Sequence, residues 1–283
     1  MNTTRIKVEH LSFGYGREKR KILDDLSFGM EKGAVYGLLG KNGTGKSTLL
    51  YLMAGLLRPR SGKVCFRGED VVSRYPSTLR EMFLVPEEFS FPNMSLKQYV
   101  KANAPFYPRF SHEQLRGSLE VFDMPEEVRL DELSMGQKKK VFMSFALATN
   151  VSLLMLDEPS NGLDIPSKSQ FRKVIASNMG EESTVIISTH QVADIDSLLD
   201  HVIIMDGAKV VLNESEERIC EKLFFAEQRV GEPTDGALYV QSFLQGNRVI
   251  YPNLSGGSSK MNLEMLFNAL LAEKKKMQAM FND

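Results

Sequence analysis

A glycine-rich stretch, GKNGTGKST at residues 40–48, has the residue types that hold a chain of phosphates. Its glycines let the backbone turn with several N–H groups directed inward, where a helix is expected to begin. The Lys46 ammonium is placed to reach the β- and γ-phosphates, and the Ser47 hydroxyl to ligate Mg²⁺. We predict a nucleoside triphosphate site formed by Gly40, Asn42, Gly43, Thr44, Gly45, Lys46, Ser47 and Thr48.

Two adjacent carboxylates form a second candidate. The run LLMLDEPS at 153–160 is an apolar strand pattern that ends in Asp157 and Glu158. Ligands of open parallel sheets bind outside the carboxyl ends of the strands, so we predict Asp157 on the magnesium side. Glu158 is predicted to orient or deprotonate an attacking water. Such pairs are also ordinary loop residues at strand ends, and it is the glycine-rich stretch that favours chemistry here.

A third stretch, DELSMGQKKKV at 131–141, predicts a helix start that is poorly designed for stability. Ser134 and Gln137 have the spacing of a capping box. However, Gly136 in the first turn costs up to about 1 kcal/mol relative to alanine, and three lysines follow near the positive end of the helix dipole. A functional helix end would explain this choice, but SHEQ at 111–114 has the same cap spacing, so a plain cap remains an alternative.

Short apolar strands alternate with helical patterns, which predicts an α/β fold with a parallel sheet. The predicted strands lie at 34–40, 81–86, 152–158, 183–189 and 201–207. The predicted helices lie at 46–57, 95–103, 111–122, 135–149 and 166–178.

Three regions depart from this alternation. Residues 5–16 and 21–30 read as antiparallel β pieces, and only helices are predicted from about 89 to 150. After about residue 215 the pattern changes to a small β–β–α appendage. We therefore expect an α/β core with an antiparallel part, an inserted helical subdomain and a C-terminal addition.

The composition excludes several classes of protein. The 283 residues include 35 Lys and Arg against 36 Asp and Glu, so no strong basic field is available for non-specific nucleic-acid binding. Two cysteines, Cys65 and Cys220, are too few for a disulfide framework. No apolar run approaches the roughly 18 residues of a membrane span. We expect a soluble, intracellular protein that reaches a membrane only through a partner.

The motifs and their order resemble the ATP-binding-cassette (ABC) ATPases over about residues 4–215. The motifs are GKNGTGKS, LVPEE, LSMGQ, LLMLDE, SNGLD and STH. The resemblance implies a P-loop, RecA-like ATPase core with an antiparallel β subdomain and a helical subdomain at about 89–150. It implies a nucleotide-binding domain at 1–215, a C-terminal accessory region at 216–283, and ATP and Mg²⁺ as cofactors.

The same resemblance assigns further site residues. Tyr15 matches the aromatic residue that stacks on adenine, with Phe13 as a rival, and such stacking has little base preference. His190 in STH matches the switch histidine near the γ-phosphate, and Asp164 in SNGLD matches a loop that links the two sites of a dimer. Glu87 stands where the family often has glutamine, so it is assigned to Mg²⁺ and the attacking water.

The resemblance also implies partners. Two copies face each other head to tail, and each ATP lies between one glycine-rich loop and Ser134, Gly136 and Gln137 of the other copy. A separate membrane permease is expected to dock beside residues 87–100, which places the chain peripherally on the inner face of the cell membrane. No nucleic acid and no inserted segment are expected. The tail MNLEMLFNALLAEKKK resembles exporter-type subunits, or is a plain amphipathic capping helix.

Three classes of function remain open at this point. The first is the ATPase subunit of a transporter, most simply an exporter. The second is a soluble ABC ATPase acting on DNA or ribosomes, although such proteins ordinarily carry two cassettes, long coiled coils or zinc-binding cysteines. The third is an ATP-sensing module with little turnover, for which Glu87 is the only support.

Overall fold

The computed structural model describes residues 4–16, 21–254 and 256–281. The strands are β1 (Thr4–Phe13), β2 (Leu23–Glu31), β3 (Val35–Gly40), β4 (Ser61–Phe66), β5 (Glu69–Asp70), β6 (Met82–Val85), β7 (Leu153–Asp157), β8 (Thr184–Thr189), β9 (His201–Asp206), β10 (Lys209–Ser215), β11 (Leu223–Arg229), β12 (Tyr239–Phe243) and β13 (Gly246–Pro252). The helices are α1 (Lys46–Met53), α2 (Pro76–Leu79), α3 (Leu96–Asn103), α4 (His112–Val121), α5 (Met135–Ala148), α6 (Ile165–Asn178), α7 (Glu216–Lys222), α8 (Leu263–Ala272) and α9 (Lys274–Ala279).

The central sheet has the strand order β10-β9-β3-β8-β7-β6. Its pairings are parallel except for that of β10 with β9. Every residue of β3, β7 and β8 is buried, as near-continuous apolar strands require in a sheet covered on both faces. The register pairs Leu39 with Thr189 and Asp157 with Ser188, so the carboxyl ends of these strands meet at one edge. The predicted α/β class is confirmed.

A second, antiparallel sheet has the order β2-β1-β4-β5. The sequence predicted β1 and β2 but not β4 and β5. Helix α1 lies between the two sheets, because Leu49, Leu50 and Met53 share one buried cluster with Ile6 of β1 and Leu38 of β3. The helix that follows the glycine-rich loop is therefore packed on two sides.

The helical subdomain contains α3, α4 and α5 around an aromatic cluster. Phe142 of α5 contacts Phe89 and Phe91, with ring centroids 4.6 and 5.4 Å apart. Tyr99 of α3 contacts Phe145 at 5.0 Å. Edge-to-face pairs of this kind stabilise a core beyond the area they bury. The aromatic residues of the stretch 87–100 thus serve largely as subdomain core.

The C-terminal region forms a sheet of order β11-β13-β12 with α8 and α9 against the ATPase core. The predicted β–β–α appendage was incomplete, because β11 follows α7 without any intervening turn residue. Leu263 and Leu266 of α8 belong to the same buried cluster as Val192 and Ile195. The tail helix therefore caps the fold. Across the described residues, no helix is long and apolar enough to cross a membrane.

Candidate nucleotide-binding site

The glycine-rich loop has a backbone that requires glycine. Gly43 and Gly45 have φ of 80° and 96°, in the left-handed region that side chains disfavour. A Cβ at Gly45 would lie 2.8 Å from Leu23 Cδ2, and one at Gly40 would lie 2.6 Å from Thr44 Oγ1. Gly45 immediately precedes α1, so the loop lies at the helix N-terminus, where anions are stabilised.

Lys46 connects this loop to the Glu158 carboxylate. Its side chain is 6% exposed, and its Nζ donates to the carbonyl oxygen of Gly40 at 2.8 Å. The same Nζ lies 3.4 Å from Glu158 Oε1. A buried ammonium held between a carbonyl and a carboxylate is positioned for a phosphate that enters the loop.

Glu158 has a strained backbone, with φ of 44°. Its N–H donates to Ser188 O at 3.0 Å and to Ser188 Oγ at 3.1 Å, which fixes the residue to the end of β8. Its Oε1 lies 3.0 Å from His190 Nδ1. Glu158 is therefore in direct contact with both Lys46 and His190, and all three residues were predicted for the nucleotide site.

Asp157 provides an unpaired oxygen beside Ser47. The residue is 1% exposed; its Oδ1 accepts the Ser188 hydroxyl, while its Oδ2 is buried without a hydrogen-bond partner among the described residues. Burial raises the pKa of Asp157, and the hydroxyls of Ser188 and Ser47 act in the opposite direction. A cation would satisfy this oxygen. Asp157, Ser47 and the nearby Glu87 thus fit Mg²⁺, which binds few protein ligands together with substrate phosphates.

Glu87 and Tyr15 both lie beside the loop and line the same cavity. Glu87 Oε1 accepts a hydrogen bond from Asn161 Nδ2 at 2.9 Å. Tyr15 is 53% exposed, and its hydroxyl lies 3.2 Å from Thr48 Oγ1. Its rival Phe13 is 7% exposed and packs edge-on against the Tyr15 ring. An exposed ring beside the loop favours Tyr15 as the stacking residue.

Most of these residues line one cavity of 520 Å³; Gly40, Thr44 and Asp157 were also predicted for the site and do not line it. Its predicted lining residues are Tyr15, Asn42, Gly43, Gly45, Lys46, Ser47, Thr48, Glu87, Glu158 and His190. Asn161 also lines the cavity, although it was not among the predicted site residues. Its position in SNGLD, three residues before Asp164, is the signal that could have found it.

The predicted residues of LSMGQ and SNGLD do not line this cavity. Ser134 and Gln137 form a reciprocal capping box, with Gln137 N 3.3 Å from Ser134 Oγ and Ser134 N 3.0 Å from Gln137 Oε1. Asp164 caps α6 through the Ser167 N–H at 2.9 Å, and hydrogen bonds from the Ser167 side chain and then its backbone hold the pKa of that carboxyl low. Both motifs thus cap a helix within this chain.

Gly136 has no structural reason to be glycine within this chain. A Cβ there would meet only Gly162 O, at 3.8 Å, and its φ is not positive. Alanine would fit and would favour the helix. Contacts among the described residues therefore do not account for glycine at this position.

A phosphate-binding loop before a buried helix, two carboxylates at the end of β7 and a histidine just after the neighbouring strand β8 define a P-loop ATPase. In agreement, the family model described as ABC transporter matches residues 23–161. The bacitracin transport ATP-binding protein BcrA of Bacillus licheniformis is 31% identical over 213 residues, 74% of this chain and 69% of that protein. Nod factor export ATP-binding protein I of Neorhizobium galegae is 29% identical over 201 residues, 68% of this chain and 57% of that protein.

A solved structure of the ATP-binding subunit of an ABC transporter has a TM-score of 0.67 at 24% identity. It covers 76% of this chain and 92% of its own, and it supports the fold alone. The chain belongs to the ABC transporter family. It is an ATP-binding subunit of such a transporter and an ATPase.

Proposed function

We propose that this subunit works as a head-to-tail dimer that closes on Mg²⁺ and ATP and drives a separate membrane permease. Gly136 carries the dimer proposal, because it is placed at an exposed helix start where its own chain leaves room for a side chain. In the dimer, Ser134 and the Gly136 N–H would face the γ-phosphate bound by the partner copy. The helix dipole then faces an anion, and the absence of a side chain permits close approach.

The three contacting side chains have separate roles in the hydrolysis step. Lys46 offsets charge that develops on the γ-phosphate, and Glu158 orients the attacking water and accepts its proton. His190, hydrogen-bonded to Glu158, holds that carboxylate and faces the phosphate from the side of β8. Mg²⁺ held by Ser47, Asp157 and Glu87 would neutralise phosphate charge when it is bound.

An apolar groove supports a permease partner. The groove has a volume of 620 Å³ and lies between the core and the helical subdomain. Its lining includes Leu56 and Phe106, which are 56% and 68% exposed. Exposed apolar side chains in a concave surface are typical of a protein interface. We propose that a permease helix docks there rather than beside residues 87–100, whose aromatic side chains pack in the subdomain core, and that the protein is therefore peripheral on the inner face of the membrane.

We propose export as the direction of transport. One relative is named for Nod factor export, and the tail helix resembles those of exporter-type subunits. The buried contacts of α8 also agree with a capping role, so the tail supports this direction less strongly than the relative does.

Glu158→Gln tests the dimer. The substitution keeps the shape of the side chain and removes the base, so we expect hydrolysis to fall by about 10²–10⁴-fold. ATP with Mg²⁺ should then hold a dimer, seen as a doubled mass in light scattering. The double variant Lys46→Ala, Glu158→Gln is the control and should stay monomeric. A Glu158→Gln protein that is monomeric under saturating ATP and Mg²⁺ would contradict the composite site.

A further inference from the structure

Lys139 is a buried charge that the hydrolysis step described above does not use. It is 5% exposed, although its neighbours Lys138 and Lys140 are partly exposed. Its Nζ donates to the carbonyl oxygen of Asn161 at 2.7 Å and to that of Glu158 at 3.2 Å. A buried ammonium is costly unless it is paired, so these two acceptors define its place.

The two carbonyls belong to the turn that carries the catalytic carboxylate. Glu158 has a left-handed backbone, and the Asn161 N–H donates to the Glu158 carbonyl at 3.2 Å. Ser188 holds the amide side of Glu158, and Lys139 holds its carbonyl side. Strained backbone persists only where surrounding groups determine it. Lys139 supplies one of these groups from α5, a different element.

The same turn sets two contacts in the cavity. The Glu158 carboxylate meets Lys46 and His190, and the Asn161 amide meets Glu87. Lys139 does not line the cavity itself, so it acts on these groups through the backbone of the turn and, at longer range, through its charge near Glu87 and Glu158. Its helix is also the one whose capped start carries Gly136.

We propose that Lys139 is a positioning residue for hydrolysis, which holds the carbonyls of Glu158 and Asn161 so that their side chains stay on the reacting phosphate. This rests on the role proposed for Glu158. It also links the LSMGQ helix, within one chain, to that chain's own catalytic turn.

The test compares Lys139→Met with Lys140→Met in the purified full chain. Lys140 is a matched control, because it lies on the same helix and donates to Phe122 O and Gln170 Oε1 at 3.3 and 3.2 Å. We expect Lys139→Met to lower kcat about tenfold or more, with KM for Mg²⁺-ATP changed by less than about twofold. Lys140→Met should keep the parent kcat.

Two further variants exclude a merely structural role. Lys139→Gln retains one donor and should recover part of the kcat; it also serves if Lys139→Met does not fold. Lys139→Met combined with Asn161→Ala should lower kcat by less than the product of the single effects, because both act through one turn. A folded Lys139→Met with unchanged kcat, or strictly multiplicative effects, would overturn the proposal. Full activity of Glu158→Gln would instead remove the function on which it rests.

Discussion

Asp157 shows that stability and chemistry oppose each other at a single side chain. The carboxylate is buried with one oxygen unpaired, and burial raises its pKa. A raised carboxyl pKa means that the charged form is less favourable in the folded chain than in the unfolded one. The nucleotide-free protein therefore loses stability as the pH rises from about 4, the ordinary Asp pKa, through the raised value.

We predict that Asp157→Asn stabilises the nucleotide-free chain at pH 7 and that the gain disappears as the pH falls towards about 4. The variant should at the same time lose the stabilisation that ATP with Mg²⁺ gives the parent. Denaturant unfolding across this pH range measures both effects. Asp164→Asn is a control of opposite sign, because the Ser167 bond lowers the pKa of that carboxyl. If Asp157→Asn is less stable than the parent at pH 7, the buried carboxylate does not destabilise the nucleotide-free chain.

Glu87 adds a negative charge beside the triphosphate site. We predict that Glu87→Gln binds ATP more tightly in the absence of Mg²⁺, by about fivefold, because one repulsive charge is removed. The amide oxygen of Gln can still accept the Asn161 bond. Titration of ATP with and without Mg²⁺ measures this dependence. Identical metal dependence and ATPase rate in the variant and the parent would count against a functional Glu87.

At the residue scale, the motifs predicted most residues of the cavity but not the residues that hold them in place. Lys46, Glu158 and His190 converge as expected, since strand-end residues of one parallel sheet meet at one edge. Asn161 could have been found from the SNGLD motif, whereas Lys139 was missed for a physical reason. In KKKV the three lysines are alike in sequence, and only the packing of α5 decides that one of them is buried.

Among the elements, α5 has the clearest conflict between local preference and observed sequence. We predict that Gly136→Ala stabilises the fold by up to about 1 kcal/mol, because the helix gains and nothing is displaced. Its ATPase rate should nevertheless fall several-fold, with ATP binding to the monomer retained. The unfolding free energy, kcat and ATP affinity are the measurements.

Gly117→Ala on α4 is the matched control for this prediction. Gly117 is exposed, and a Cβ there would meet nothing within 4 Å. Its replacement should stabilise the chain to a similar degree and leave turnover unchanged. If Gly136→Ala also left turnover unchanged, the cap alone would explain the LSMGQ motif.

The elements that the sequence missed lack a clear strand pattern. The first three residues of β4 are exposed and include Gly62 and Lys63, and β5 has two residues only. The strand β11 begins one residue after α7, so the helical and extended patterns run together. The buried strands of the central sheet had no such ambiguity, because their apolar runs end in small or polar residues.

At the scale of the whole molecule, the C-terminal region shares a core with the ATPase part. We predict that Leu266→Ala, a fully buried position on α8, lowers the unfolding free energy by about 2–5 kcal/mol in one cooperative transition. Thermal melting, monitored by the loss of ATPase activity, measures the loss of stability. Leu244→Ala is the control, since Leu244 is fully exposed and should melt like the parent. Equal melting of both variants would show that the tail is energetically separate.

Helix α8 packs on residues 192–194, a segment that begins two residues after His190. A protein that binds the tail from outside and shifts it would thus also shift the segment that follows His190. For the same reason, a chimera that carries the tail of another subunit would need matching residues at Val192 and Ile195 to keep its ATPase cycle.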